Sequence, residues 1–95
     1  MEKTKIAVVG ATGMVGRTFL KVLEEYNIPE CEYKLFASKR SAGTTLKFFG
    51  KEYEVQELNE HSFDEGFDIA LFSAGGGTSK EFAPIAAAHG CTVID

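Results

Sequence analysis

Residues 5–16, Lys5-Ile6-Ala7-Val8-Val9-Gly10-Ala11-Thr12-Gly13-Met14-Val15-Gly16, constrain the chain more than any other stretch. The apolar run over 6–9 has the length and β-branching of a buried parallel strand. It stops at a glycine corner and passes straight into a helical pattern. Val15, Phe19, Val22, Leu23 and Tyr26 share one face of that helix, and Arg17, Lys21, Glu24 and Glu25 take the other. Glycines let backbone approach a phosphate closely, and the free N–H groups and dipole at a helix start favour negative charge. The order strand, corner, helix therefore predicts a nucleotide site on Gly10 and Gly13, with the start of the helix beside them.

The spacing is G-x-x-G-x-x-G at Gly10, Gly13 and Gly16, not the G-x-G-x-x-G of the standard dinucleotide fingerprint. Taken alone, such spacing also suits a tight strand-to-helix turn. Its place between a clean strand and a clean helix points to nucleotide binding. Thr12 stands where it can cap the helix or give its hydroxyl to a phosphate, and the two roles are compatible.

Asn27-Ile28-Pro29-Glu30 breaks the helical pattern, and a second strand is predicted over 33–37. In folds that prefer NAD, an Asp or Glu at the end of this strand accepts hydrogen bonds from the adenosine ribose. No acid stands here; the chain runs Ser38-Lys39-Arg40-Ser41-Ala42-Gly43. Two cations flanked by hydroxyls suit a ribose 2′-phosphate, with Arg40 as a planar bidentate donor. The alternative is a solvated basic loop. Because the whole chain carries a net charge of −4, two adjacent cations at the place of cofactor choice favour NADP over NAD.

The same net charge argues against a general nucleic-acid partner. No apolar run approaches the roughly 20 residues that span a bilayer. The first five residues lead directly into the strand and leave no room for a signal peptide, so a cytoplasmic protein is expected. Cys31 and Cys91 have neither a CxxC partner nor a clustered histidine, so no metal site is expected, and packing is the ordinary role for Cys91 at a strand start.

Residues 45–49 and 52–57 read as a hairpin closed by Gly50-Lys51 in a type II′ turn, an insertion expected at an edge of the sheet. Residues 58–67 read as polar and irregular, with a short helix around 62–65 and His61 on the surface. A third buried strand over 69–72 ends in another small-residue corner, Ser73-Ala74-Gly75-Gly76-Gly77-Thr78, which should face the same crevice as the first. A flexible loop is the alternative there. Thr78 and Glu81 form a possible capping box for a second helix, whose apolar face would be Phe82, Ile85, Ala86 and His89. Pro84 is expected to kink or restart that helix, and Gly90 to cap it. A last strand is expected over 91–94. The sum is an α/β, Rossmann-like, mostly parallel open sheet with helices on both faces and an inserted β-hairpin. One domain over 1–95 is expected, cut where a strand should carry a functional loop, as in the first portion of a longer enzyme.

The three motifs at 10–16, 38–43 and 73–77 closely resemble, in order and spacing, the N-terminal part of aspartate-semialdehyde dehydrogenases. The first is shared with N-acetyl-glutamyl-phosphate reductases and extended short-chain dehydrogenases; the other two make the resemblance specific. It implies reductive dephosphorylation of aspartyl phosphate to aspartate semialdehyde with NADPH, in lysine, threonine and methionine synthesis, by a homodimer or homotetramer. The family's catalytic cysteine, histidine and substrate-holding arginines lie beyond Asp95, so the resemblance places no catalytic residue on this chain. It does place cofactor contacts: Thr12, Gly13, Met14 and Val15 at the pyrophosphate, Arg40 and Ser41 at the 2′-phosphate, with Ser73, Ala74 and Gly75 flanking the cofactor further along; Gly10 and Ser38 join these as cofactor-binding candidates from the glycine corner and the hydroxyl-flanked cations themselves. Lys39 falls at a variable position of the motif. An extended short-chain dehydrogenase would need a downstream Tyr-x-x-x-Lys pair, and a non-catalytic nucleotide-binding module would be complete at this length.

Overall fold

The computed structural model describes residues 4–26, 31–73 and 76–94. Along the chain these form β1 (Thr4–Val9), α1 (Met14–Tyr26), β2 (Cys31–Ala37), β3 (Thr45–Phe48), β4 (Lys51–Glu54), β5 (Gln56–Glu57), β6 (Ile69–Phe72), α2 (Gly76–Ala88) and β7 (Thr92–Ile94). Five strands make one sheet in the order β5-β2-β1-β6-β7, with every pairing parallel. The Rossmann-like reading holds. The breaker at 27–30 lies outside the described residues.

Successive strand residues point to opposite faces, and the central strand shows why both faces must be covered. Ile6 and Val8 project to one side, where they join Leu35, Leu20 of α1, and Phe48 and Val55 from the hairpin region. Ala7 and Val9 project to the other, against Phe36, Ala70, Phe72 and Ala86 of α2. Val8, Val9 and Ala7 are wholly buried, as a central parallel strand requires. One helix and the hairpin thus cover the first face, and the other helix covers the second.

Several local expectations are corrected. Leu46 pairs with Tyr53 and Phe48 with Lys51, so the hairpin is β3–β4 and its two-residue loop is Phe49-Gly50, not Gly50-Lys51. Both loop residues have positive φ, 54° and 73°, which is a type I′ turn. The hairpin forms a two-stranded sheet of its own, and the chain leaves it to add β5 to the edge of the main sheet. Phenylalanine tolerates the left-handed conformation because its N–H donates to Glu24 Oε2 at 2.8 Å and its ring stacks on Tyr33 at 5.5 Å.

The segment at 58–67 is neither helical nor merely polar. It is a series of turns in which the Asn59 side-chain oxygen accepts the His61 N–H and Ser62 Oγ accepts the Asn59 N–H, both at 2.8 Å. Those turns deliver Phe63 and Phe67 into the core, where Phe63 stacks on Phe72. The second helix begins at Gly76, ahead of the expected cap, so Thr78 lies inside its first turn. It runs through Pro84 without restarting. Gly90 does end it: Cys91 N–H donates to Ala86 O at 3.1 Å and Gly90 N–H to Ala87 O at 3.0 Å, with Gly90 φ at +86°. His89, placed on the apolar face by periodicity, is exposed and turns its ring back to Ile85 O at 2.8 Å.

Candidate functional site

From β1 the chain steps outward to β2 and β5 on one side, while β6 and β7 lie on the other. The order reverses between β1 and β6, and a crevice opens there at the carboxyl ends of the strands. Its two lips are joined. Ser73, just past β6, donates its N–H to Val9 O at 2.9 Å and its hydroxyl to Val9 O at 2.8 Å and Gly10 O at 3.3 Å. Gly10 turns the chain with φ +85°, and the N–H groups of Gly10 and Ala11 both donate to Phe36 O, at 2.8 and 3.1 Å.

The three glycines of the first motif have separate jobs. Gly10 supplies the left-handed turn. Gly16 allows close packing, because a Cβ there would lie 2.0 Å from Gly10 O. Gly13 is exposed, and a Cβ on it would meet Gly10 O at an ordinary 3.5 Å, so packing within the fold does not require a glycine there. Arg17 N–H donates to Gly13 O at 2.9 Å, which makes Gly13, not Thr12, the residue that caps α1. The Thr12 hydroxyl makes no hydrogen bond to any described residue, and Thr12 lines the crevice. The N–H groups of residues 14–16, in the first helical turn, have no partner within the helix.

The crevice encloses about 520 Å³, within the range of small-molecule and cofactor sites. The corner contributes Gly10, Thr12 and Gly13; the end of β2 contributes Ala37, Ser38 and Lys39; Ser73 comes from β6. Five of the expected residues, Gly10, Thr12, Gly13, Ser38 and Ser73, therefore meet in one cavity. Arg40 and Ser41 sit on the adjoining turn, outside the cavity wall. That turn is held by Ser41 N–H to Ser38 O at 2.9 Å and by Gly43 N–H to Val55 O at 2.8 Å, which leaves Arg40 exposed at its tip. Met14 opens α1 with its side chain 87% exposed, and Val15 follows it in the first turn. Ala74 and Gly75 lie outside the described residues.

Thr78, the last residue of the second corner expected to face this crevice, does line it, from the first turn of α2. Glu57, Leu58 and Phe82 were not anticipated; the first two reach the cavity from the end of β5 and Phe82 from α2. Phe82 could have been found by continuing the second corner into the helix that follows it. Glu57 could not, because its place depends on β5 pairing beside β2. The arrangement fits a dinucleotide: a glycine corner and helix-start N–H groups for a pyrophosphate, and a Ser-Lys turn one strand away for a ribose.

Little elsewhere offers chemistry. Cys91 is buried, and burial pushes its thiol pKa up, away from the reactive thiolate. His61 is exposed and contacts Asp64 Oδ2 at 3.1 Å; His89 Nε2 meets the other oxygen of the same carboxylate at 3.1 Å. Neither histidine lines the crevice. Among the described residues no group of three metal-ligating side chains converges, and no helix is long and apolar enough to cross a membrane.

Comparison with known proteins agrees with this geometry. The family model for the NAD-binding domain of semialdehyde dehydrogenase matches residues 5–95. The aspartate-semialdehyde dehydrogenase of Aquifex aeolicus (strain VF5) is 62% identical over 91 residues, which cover 96% of this chain and 27% of that protein. Aspartate semialdehyde dehydrogenase II from Vibrio cholerae, solved in complex with ASA, superposes with a TM-score of 0.90 at 48% identity, over 99% of this chain and 30% of that one. The Candida albicans enzyme, solved with NADP, superposes with a TM-score of 0.77 at 26% identity, over 97% of this chain and 29% of that one. The chain thus spans little more than a quarter of the length of these relatives. With the family match running over residues 5–95, the chain belongs to the semialdehyde dehydrogenase family, as its NAD-binding domain.

Proposed function

We propose that this chain is the NADP(H)-binding portion of a longer aspartate-semialdehyde dehydrogenase, which reductively dephosphorylates aspartyl phosphate in a cytoplasmic biosynthetic pathway. The names of the relatives support the reaction class. In the longer enzyme, a homodimer or homotetramer, the bound cofactor supplies a hydride, and the partners are small molecules, not nucleic acid or membrane. This chain's residues bind and orient. Gly13 and the first-turn N–H groups of Met14 and Val15 take the pyrophosphate, with Thr12 offering its hydroxyl. Ser73, and beside it Ala74 and Gly75, carry the cofactor on from the switch point toward the substrate.

The preference for NADP rests on one observation. The turn after β2 puts Ser38 and Lys39 on the crevice wall and Arg40 and Ser41 directly beyond it, and β2 itself ends without an acid. A charge-assisted hydrogen bond to phosphate contributes roughly 1.5–3 kcal/mol, or about tenfold to a hundredfold in affinity. Arg40→Ala is expected to weaken NADP binding by that factor and leave NAD nearly unchanged in titration calorimetry. Equal losses of both cofactors would make the turn a solvated basic loop.

By itself the chain is expected to be inactive, since nucleophilic catalysis needs a thiol within hydrogen-bond reach of its base. Cys91 is buried, and neither histidine contacts a cysteine among the described residues. Phosphate-dependent reduction of NADP by the purified chain with aspartate semialdehyde would refute this.

A further inference from the structure

We propose that the open half of the outer edge of β2 is a self-complementary docking surface, on which a second copy of this chain lays its own β2 antiparallel, about a two-fold axis at Tyr33. The surface lies away from the nucleotide crevice, and the pairing does not depend on what the crevice binds.

The main sheet covers only part of that edge. The N–H groups of Gly10 and Ala11 both donate to Phe36 O from the β1 side. Backbone groups alternate in direction along a parallel strand, so Glu32 and Lys34 also face β1, whereas Cys31, Tyr33 and Leu35 face outward. On the outer side β5 pairs with Phe36 and Ala37 alone. Among the described residues, no strand meets the outward N–H and C=O of Tyr33 or those of Cys31. A row of this kind is a template for another strand. Beside it a cavity of about 280 Å³ is lined by Tyr33 and Tyr53 on one face of the sheet and by Lys34 and Phe67 on the other, which leaves room along the edge.

Register and charge select the occupant. In an antiparallel pair, residues that exchange both N–H···O bonds stand directly opposite one another. Tyr33 is the middle of the open stretch and directs both of its backbone groups outward, so two copies can exchange both bonds there. The same register sets Glu32 opposite the partner's Lys34, and Lys34 opposite the partner's Glu32, with Cβ atoms about 4.5–5.5 Å apart. It also brings the Leu35 N–H to the carbonyl of the partner's Cys31. The contact is isologous, each copy giving what the other accepts.

The charges are available for this use. Glu32 is exposed and joins no ion pair among the described residues. Lys34 Nζ meets one oxygen of Glu65 at 2.7 Å, and Lys5 Nζ meets the other at 3.2 Å. Two cations thus share one carboxylate, and the partner's Glu32 supplies the second. The opposite edge, β7, offers only Thr92, Val93 and Ile94, with no charge to fix a register.

Sedimentation equilibrium on the whole chain, from about 10 µM to about 1 mM, should show monomer and dimer in exchange. Glu32→Lys and Lys34→Glu each set like charges opposite one another, and each should raise the dimer Kd about tenfold or more. An equimolar mixture of the two variants sets lysines against glutamates at both positions and should dimerise within about threefold of the wild-type Kd. Residue-resolved hydrogen–deuterium exchange reads the same contact without a substitution. The Tyr33 and Leu35 amides should slow as concentration rises, while the Glu32 and Lys34 amides, already bonded to β1, should not change. A wild type that stays monomeric throughout would overturn the proposal. A dimer indifferent to Glu32→Lys, or one that slows the amides of β7 in place of Tyr33, would overturn it by moving the contact elsewhere. Folded variants whose mixture associates no better than either alone would do the same. Should Lys34→Glu fail to fold, Tyr33 and Leu35 amides that exchange alike at both ends of the concentration range would still refute the pairing.

Discussion

At the scale of single residues, the three glycines of the first motif separate into fold and function. Gly16→Ala would place a methyl 2.0 Å from the Gly10 carbonyl oxygen, backbone against backbone, where no side chain can swing aside. Alanine is favoured over glycine inside a helix by about 1 kcal/mol. Even so, the clash should exceed the 1–3 kcal/mol typical of overpacking, leaving a net loss of about 2 kcal/mol or more. That would lower the thermal midpoint by roughly 10 °C or more. Gly13→Ala meets only an ordinary contact and should unfold within a few degrees of wild type. A midpoint for Gly16→Ala equal to that of Gly13→Ala would mean that α1 need not approach the corner closely. The spacing of these glycines was legible in the sequence; their division of labour was not, because it depends on the Gly10 carbonyl folding back against the helix. For the same reason Thr12 looked like the cap, whereas the first helical hydrogen bond goes to Gly13 O.

At the scale of elements, apolar runs and their breakers placed four strands and both helices, since buried parallel strands and amphipathic helices write their periods directly. What was missed depends on contacts distant in sequence. Residues 58–67 look polar, yet Phe63 and Phe67 anchor them among Phe36 and Phe72. The hairpin turn was placed one residue late, because the left-handed conformation of Phe49 is held by Glu24, 25 positions earlier. Pro84 did not interrupt α2. It lies exposed within the helix and carries no N–H for the Lys80 carbonyl. Pro84→Ala restores that hydrogen bond but also frees the unfolded chain, an opposing term of roughly 0.4–1 kcal/mol. A net gain of about 1 kcal/mol is expected, read as a rise of about 4–8 °C in the thermal midpoint. A fall would show that the proline ring itself packs usefully.

At the scale of the whole molecule, five parallel strands with both faces covered create the crevice as a by-product of strand order, and the candidate site inherits the rigidity of the sheet. The corner after β1 and the turn after β2 were legible in the sequence because each follows its own strand; the third wall, from β5, came only with the pairing. The shared carbonyl of Phe36 has a further consequence. Because one acceptor in β2 holds the N–H groups of both Gly10 and Ala11, the corner cannot open without unzipping the centre of the sheet. The site is therefore prebuilt, and a nucleotide entering it spends little of its affinity on ordering the protein. In hydrogen–deuterium exchange those two amides should persist as long as the slowest amides of β1, exchanging only by global unfolding. Saturating nucleotide should slow all of them by one common factor, 1 + [L]/Kd, so that a corner of two residues reports the occupancy of the entire domain.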